Sequence, residues 1–422
     1  MVDTTMKRII YVLIDGVADR PVRELANMTP LESARTPNLD VIAKDSVMGQ
    51  VITVAEGIAP ESDIAVFSML GYSFSEGYPG RGVIEAIGAG LDFRTGQLAL
   101  RANFATSDDQ MKAIVDRRAG RNLSNDEAER LEREINSSVK LDDPDASFIF
   151  KHTVGHRGVL IIKHKDMLSS EITNTDPGYA REKGIGVAKA GAESQDFEPC
   201  RPLIEEKGAI LAAKLVNEFT IKAFEVLKKS AVNESRMAKS FKPANVLLLR
   251  DAGHKYPEVE KLTNKYGRRF SAVVDMPVEI GISKLAGMKI MTSARDDYGQ
   301  KVKLTLLGLE ESDVVYLHLK GPDEFGHDGM ALEKQKSIEM IDYNYFGPLL
   351  KKVGDDVVIA VSADHATPCE LKAHSDDPVP LMIYNSSLGK DGLNRFTEES
   401  ARRGSLGTLK GVDVLNKVIS NT

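Results

Sequence analysis

Cysteine is scarce, with only Cys200 and Cys369 in a chain of 422 residues. That count excludes a disulfide framework and a thiolate zinc finger, and it suits a reducing compartment. A basic excess is also missing. The net charge of −7 argues against a general nucleic-acid or membrane-surface binder, although a local cluster of cations can still hold a small anion. No apolar run has membrane length: Arg8 to Ile14 is ended by Asp15, too soon for a signal-peptide core or a bilayer span. No internal repeat or low-complexity tract is found. What remains is a hydrophobic content of 42% and a charged content of 28%, ordinary for a soluble cytoplasmic chain, and a length that favours two domains.

Three stretches, Arg8–Ile14, Asp313–Lys320 and Asp356–Ser362, are apolar enough to be strands buried on both faces of a parallel sheet. Each runs into polar residues. The first ends at Asp15-Gly16, the second leads to Asp323 and His327, and the third ends at Asp364-His365 with His374 a little beyond. In open α/β sheets ligands bind outside the carboxyl ends of the strands. A further strand is expected at Gly49–Val54, followed by Ser62 at the start of a helical stretch, where free N–H groups favour a phosphoryl group.

Each residue also has a plain reading. Asp15 suits a turn, Ser62 an N-cap, and an Asp-x-x-x-His pair a helix cap or a surface pair. Together, four strand-to-loop transitions carry Asp15, Ser62, Asp323, His327, Asp364, His365 and His374 to loops that can meet at one sheet edge. Carboxylates and imidazoles without thiolates suit Mn²⁺, Zn²⁺ or Co²⁺, with Mg²⁺ a further candidate. Two such ions about 4 Å apart would serve phosphoryl transfer, with Ser62 as a bridging nucleophile.

The middle of the chain has another style. Gly71 to Gly90 reads as a glycine-rich crossover loop, and alternating strands with a few helices then indicate an α+β unit. The core is expected at 1–80 and 270–422, and the insert at 81–269. Arg117, Arg118 and Arg121 crowd one glycine, as a solvated loop or as a clamp for a carboxylate or phosphate, with His156 and Arg157 grouped with them. Lys284, where the chain re-enters the core, is a candidate cation for the transferred phosphate. Asp63 reads as a first-turn helix carboxylate before it reads as a proton shuttle.

The ordered set Asp15-Gly16, Ser62, Asp323-x-x-x-His327, Asp364-His365 and His374 resembles the metal and nucleophile pattern of the alkaline phosphatase superfamily. Within it the chain is most similar to the archaeal type of cofactor-independent phosphoglycerate mutase, through Asp15–Pro21, Thr29–Glu32, Thr36–Leu39, Arg101–Thr106, Asp116–Arg121 and Thr173–Pro177. The resemblance implies an α/β fold, an alkaline-phosphatase-like mostly parallel sheet flanked by helices, with an inserted α+β lid domain that closes to exclude water. It implies a glycolytic and gluconeogenic isomerase that interconverts 3-phosphoglycerate and 2-phosphoglycerate through phosphoserine at Ser62, without 2,3-bisphosphoglycerate. By the same resemblance one ion is held by Asp323, His327 and His374, and the other by Asp15, Ser62, Asp364 and His365. Arg117, Arg118, Arg121, His156 and Arg157 are expected to contact substrate. Phosphopentomutase and metal-dependent phosphomonoesterase reactions use the same core, and the serine and metal residues alone do not separate them.

Overall fold

The computed structural model of the chain describes residues 7–73, 78–182, 185–188, 195–386 and 389–421. Two compact units form, Met1–Ser73 with Val259–Thr422, and Phe74–Glu258.

The first unit is built on an eight-stranded sheet. From one edge its order is Lys289–Thr292, Phe270–Val274, Val314–Leu319, Arg8–Ile14, Val357–Ser362, Val379–Tyr384, Ser46–Ile52 and Gly407–Lys410. The pairings are parallel from the first of these to Val357–Ser362, antiparallel on both sides of Val379–Tyr384, and parallel again at the far edge. Ile9 to Ile14 are wholly buried, as a strand covered on both faces requires. Helix Tyr298–Glu311 packs against Phe270–Val274 and Val314–Leu319, and helix Gly411–Ser420 against Ser62–Met69. The strand expected at Gly49–Val54 forms earlier, because antiparallel pairing with Val379–Tyr384 fixes its register from Ser46↔Tyr384 to Val51↔Val379.

The second unit centres on the antiparallel strand Leu98–Ser107, flanked by Arg157–His164 and Val246–Gly253. Helix Lys207–Lys228 buries Leu215, Val216, Phe219 and Leu227 in the core beneath it. Helix Asn125–Ser138 starts at a capping box formed by Ser124 and Glu127. One expectation fails here: the glycine-rich stretch holds a helix, Arg81–Gly88, with Val83, Ile84 and Ala86 fully buried. Gly82 is there for close approach, since a Cβ would lie 2.6 Å from Ala99 O and 2.8 Å from Asp251 O. Among the described residues no helix is long and apolar enough to cross a membrane.

Candidate active site

Parallel register brings the candidate ligand loops together. Ile14 pairs with Leu319, and Leu13 with Ser362, so one residue further on Asp15 comes level with Lys320, and two beyond Leu13 it comes level with Asp364. The turn after Asp15 needs glycine. Gly16 has a φ of +57°, and a Cβ there would sit 2.5 Å from Thr367 Oγ1 and 2.9 Å from Asp323 Cα. Its N–H donates to Asp364 Oδ1 at 3.1 Å, and the His365 N–H donates to the same oxygen at 3.0 Å. Asp15 Oδ1 and Asp364 Oδ2 are buried without a hydrogen-bond partner.

Ser62 opens helix Ser62–Met69, and its Oγ is 3.0 Å from His365 Nε2. The same nitrogen is 3.5 Å from Asp15 Oδ1 and 3.2 Å from Asp364 Oδ2. His365 Nδ1 is 3.1 Å from Thr367 Oγ1, which donates onward to Asp323 Oδ1 at 2.7 Å. The threonine hydroxyl therefore accepts from Nδ1–H, which leaves Nε2 facing the serine.

Asp323 and His327 lie on a short helix, Pro322–Asp328, where the spacing of four residues puts them on one face. Asp323 Oδ1 is 3.5 Å from His327 Nε2 and 3.4 Å from His374 Nε2. His327 Nδ1 is held by Lys372 O at 3.2 Å and His374 Nδ1 by Pro60 O at 2.7 Å.

The electrostatics favour positive charge at the centre. Burial opposes charge on His365, but Asp364, Asp15 and Asp323 hold its imidazole well above the usual histidine range. Burial raises Asp15, yet Lys320, His365 and His318 hold its carboxyl well below the usual range. Asp364 is likewise pushed up by burial and brought down to about 2, chiefly by His365. Burial and the nearby Asp15 carboxylate push Asp323 up, but His374 and His365 keep it well below the ordinary value.

All seven residues expected at the sheet edge thus gather in the first unit. Lys284 is placed differently, exposed in the last turn of helix Pro277–Ala286. The ammonium beside Asp15 is that of Lys320, 2.9 Å from Oδ2, with Glu279 and His318 packed around it. These three were not anticipated. A signal for two of them was present, since His318 and Lys320 alternate with buried Leu317 and Leu319 and share one face of the strand.

In the second unit, Arg157, Arg118, Arg250 and Arg121 crowd His156. Burial first, and then these guanidinium groups, push its imidazole down to about 3. Arg117 is engaged elsewhere, making two bonds of 2.9 Å to the buried Asp176 carboxylate. Arg250, which the sequence did not single out, stacks 3.6 Å from the centre of the Tyr179 ring.

A family model described as 2,3-bisphosphoglycerate-independent phosphoglycerate mutase matches residues 43–233. A protein of that name from Aeropyrum pernix is 42% identical, with 96% of each chain covered. Another from Methanopyrus kandleri is 37% identical, covering 97% of this chain and 95% of that one. The chain belongs to the 2,3-bisphosphoglycerate-independent phosphoglycerate mutase family. Among solved structures, a cofactor-independent phosphoglycerate mutase from Thermoplasma acidophilum is 32% identical at a TM-score of 0.63, covering 99% of this chain and 100% of that one. A Pyrococcus horikoshii protein is 30% identical at a TM-score of 0.78, covering 99% and 98%.

For a mutase of this family the donor set fits divalent ions. Asp323, His327 and His374 offer atoms within 4.8 Å of one another, as do Asp15, Asp323 and His365, and also Asp15, His318 and Asp364. Orphaned carboxylate oxygens and inward-facing Nε2 atoms, with Nδ1 of His327, His365 and His374 each engaged by an oxygen, are what a metal site needs.

Proposed function

We propose that the chain interconverts 3-phosphoglycerate and 2-phosphoglycerate in the cytoplasm, without 2,3-bisphosphoglycerate, by way of phosphoserine at Ser62. The observation that carries this reading is the Ser62 Oγ, 3.0 Å from His365 Nε2 at the first turn of a helix and beside two orphaned carboxylate oxygens. Asp323, His327 and His374 would hold one divalent ion, and Asp15, Ser62, Asp364 and His365 the other, with Mn²⁺, Zn²⁺ or Co²⁺ favoured by the ligand types. Such ions neutralise phosphate oxygens and lower the pKa of a bound hydroxyl.

The chain's own groups account for the rest. Ser62 Oγ forms a bond to phosphorus as the bond from phosphorus to the 3-oxygen of glycerate breaks. The leaving oxygen takes up one proton. The glycerate then presents its 2-hydroxyl, whose oxygen displaces Ser62 as its proton departs, so protons balance over the cycle. N–H groups of the first helical turn favour negative charge on the phosphoryl oxygens. In the second unit, Arg118, Arg121 and Arg157 around His156 suit an anionic carboxylate or phosphate, since guanidinium binds either in two-point fashion.

An enolase-coupled assay with 3-phosphoglycerate alone tests the reading. Steady conversion is expected, with loss on chelation and recovery on adding Mn²⁺ or Co²⁺. Release of inorganic phosphate in place of 2-phosphoglycerate would make the chain a phosphomonoesterase.

A further inference from the structure

Beneath the ligands lies a second layer of charge that the two-ion reading leaves unused. Lys320 Nζ stands 2.9 Å from Asp15 Oδ2 and 2.6 Å from Glu279 Oε1. His318 faces a carboxylate with each ring nitrogen, Nδ1 at 3.1 Å from Glu279 Oε1 and Nε2 at 3.3 Å from Asp364 Oδ2. The side chains of Glu279, His318 and Lys320 are 1%, 0% and 9% exposed, which keeps water from screening the layer.

The layer restricts what the ligands can offer. Lys320 occupies Asp15 Oδ2 and leaves Oδ1 without a hydrogen-bond partner. Asp364 is set by the backbone instead, with the N–H groups of Gly16 and His365 on Oδ1 and Oδ2 left without a hydrogen-bond partner. Each carboxylate thus retains one oxygen for an ion. A buried cation so near a metal would repel it, and Glu279, 2.6 Å from Lys320 Nζ, supplies the compensating negative charge.

We infer that Glu279 and Lys320 are positioning residues that hold Asp15 as a single-oxygen ligand for the ion beside Ser62. The inference rests on the two-ion reading proposed above. Lys320 directly continues the strand Val314–Leu319, and Glu279 comes from helix Pro277–Ala286, which follows the neighbouring strand Phe270–Val274. The pair is therefore set by the packing of helix Pro277–Ala286 beside the sheet.

The test uses Glu279→Gln, which keeps shape and removes charge, and Lys320→Met, which removes the ammonium at similar length. Mn²⁺ binding to metal-stripped full-length protein is followed by calorimetry, with kcat, KM and Tm measured on the same samples. The expected result is a loss of affinity of about 10–100-fold at one site only, with kcat reduced by a similar factor and KM little changed. Weakening at both sites in step with a lower Tm would overturn the inference, and so would unchanged affinity and kcat. If Lys320→Met does not fold, Glu279→Gln decides alone. Wild-type protein that binds fewer than two ions sinks the two-ion reading itself, and this inference with it.

Discussion

The imidazoles of His327 and His374 face one another, Nε2 to Nε2, across 3.1 Å. Each ring's Nδ1 is directed at a backbone carbonyl, so the protons lie on the outer nitrogens and two lone pairs confront each other. Such an arrangement repels unless a cation lies between them, and Asp323 Oδ1, 3.4 Å from His374 Nε2, completes the cradle.

His374→Ala should therefore remove one ion and leave the other. The metal content of dialysed protein is expected to fall from two to one per chain. Activity should drop by more than the roughly 10–100-fold typical of losing an outer-shell partner. Two ions retained by the variant would exclude His374 as a ligand.

Ser62→Ala should separate binding from transfer. At least one ion is expected to remain, since Asp15, Asp364 and His365 are untouched, while mutase turnover disappears and acid-quenched wild type yields phosphoserine that the variant lacks. Residual turnover at the wild-type rate would remove Ser62 from the reaction.

Much of this site could be read in the sequence because its ligands punctuate buried apolar strands. Asp15 and Asp364 each end such a run, and parallel pairing then brings them side by side with no further information needed. Glu279 could not be found in this way. It sits inside a helix, and nothing in its spacing points to Lys320; only the packing of that helix beside the sheet joins them. Helix Arg81–Gly88 was hidden for the opposite reason, because glycines required by close backbone contact read as loop. The conformation of the arginine cluster was equally out of reach, as nothing in the sequence pairs Arg117 with Asp176.

A buried ion pair fastens two of the ligand loops. Lys334 Nζ donates to Asp19 Oδ2 at 2.7 Å, to Thr367 O at 2.9 Å and to Ala18 O at 3.2 Å. Lys334→Met leaves the Asp19 carboxylate buried without its cation and should cost about 3–5 kcal/mol in chemical denaturation. Adding Asp19→Asn should restore most of that loss, and a double variant no better than the single one would count against the pairing.

Glu398 gives stability a pH dependence. Burial lifts its carboxyl from the ordinary 4.5 to about 7, with Thr29 Oγ1 and the Asp19 N–H donating to it. The folded chain thus binds this proton more tightly than the unfolded chain. Its contribution is fully present below pH 4.5 and is lost as pH rises through about 7. Relative to Glu398→Gln, wild type should lose on the order of 3 kcal/mol between about pH 4 and pH 8. Denaturation curves of the two proteins that stay parallel over that range would contradict this.

The central position of Arg8–Ile14 bears on how the protein is made. It is made well before both of its sheet neighbours, Val314–Leu319 and Val357–Ser362, which follow the second unit in the chain. Until those strands are made, this apolar segment has open edges and no native sheet partner, the condition under which nascent chains associate wrongly. Gly16 and Asp364, 348 residues apart, are bonded only after that wait. The middle of the sheet therefore closes only once strands far along the chain have been made.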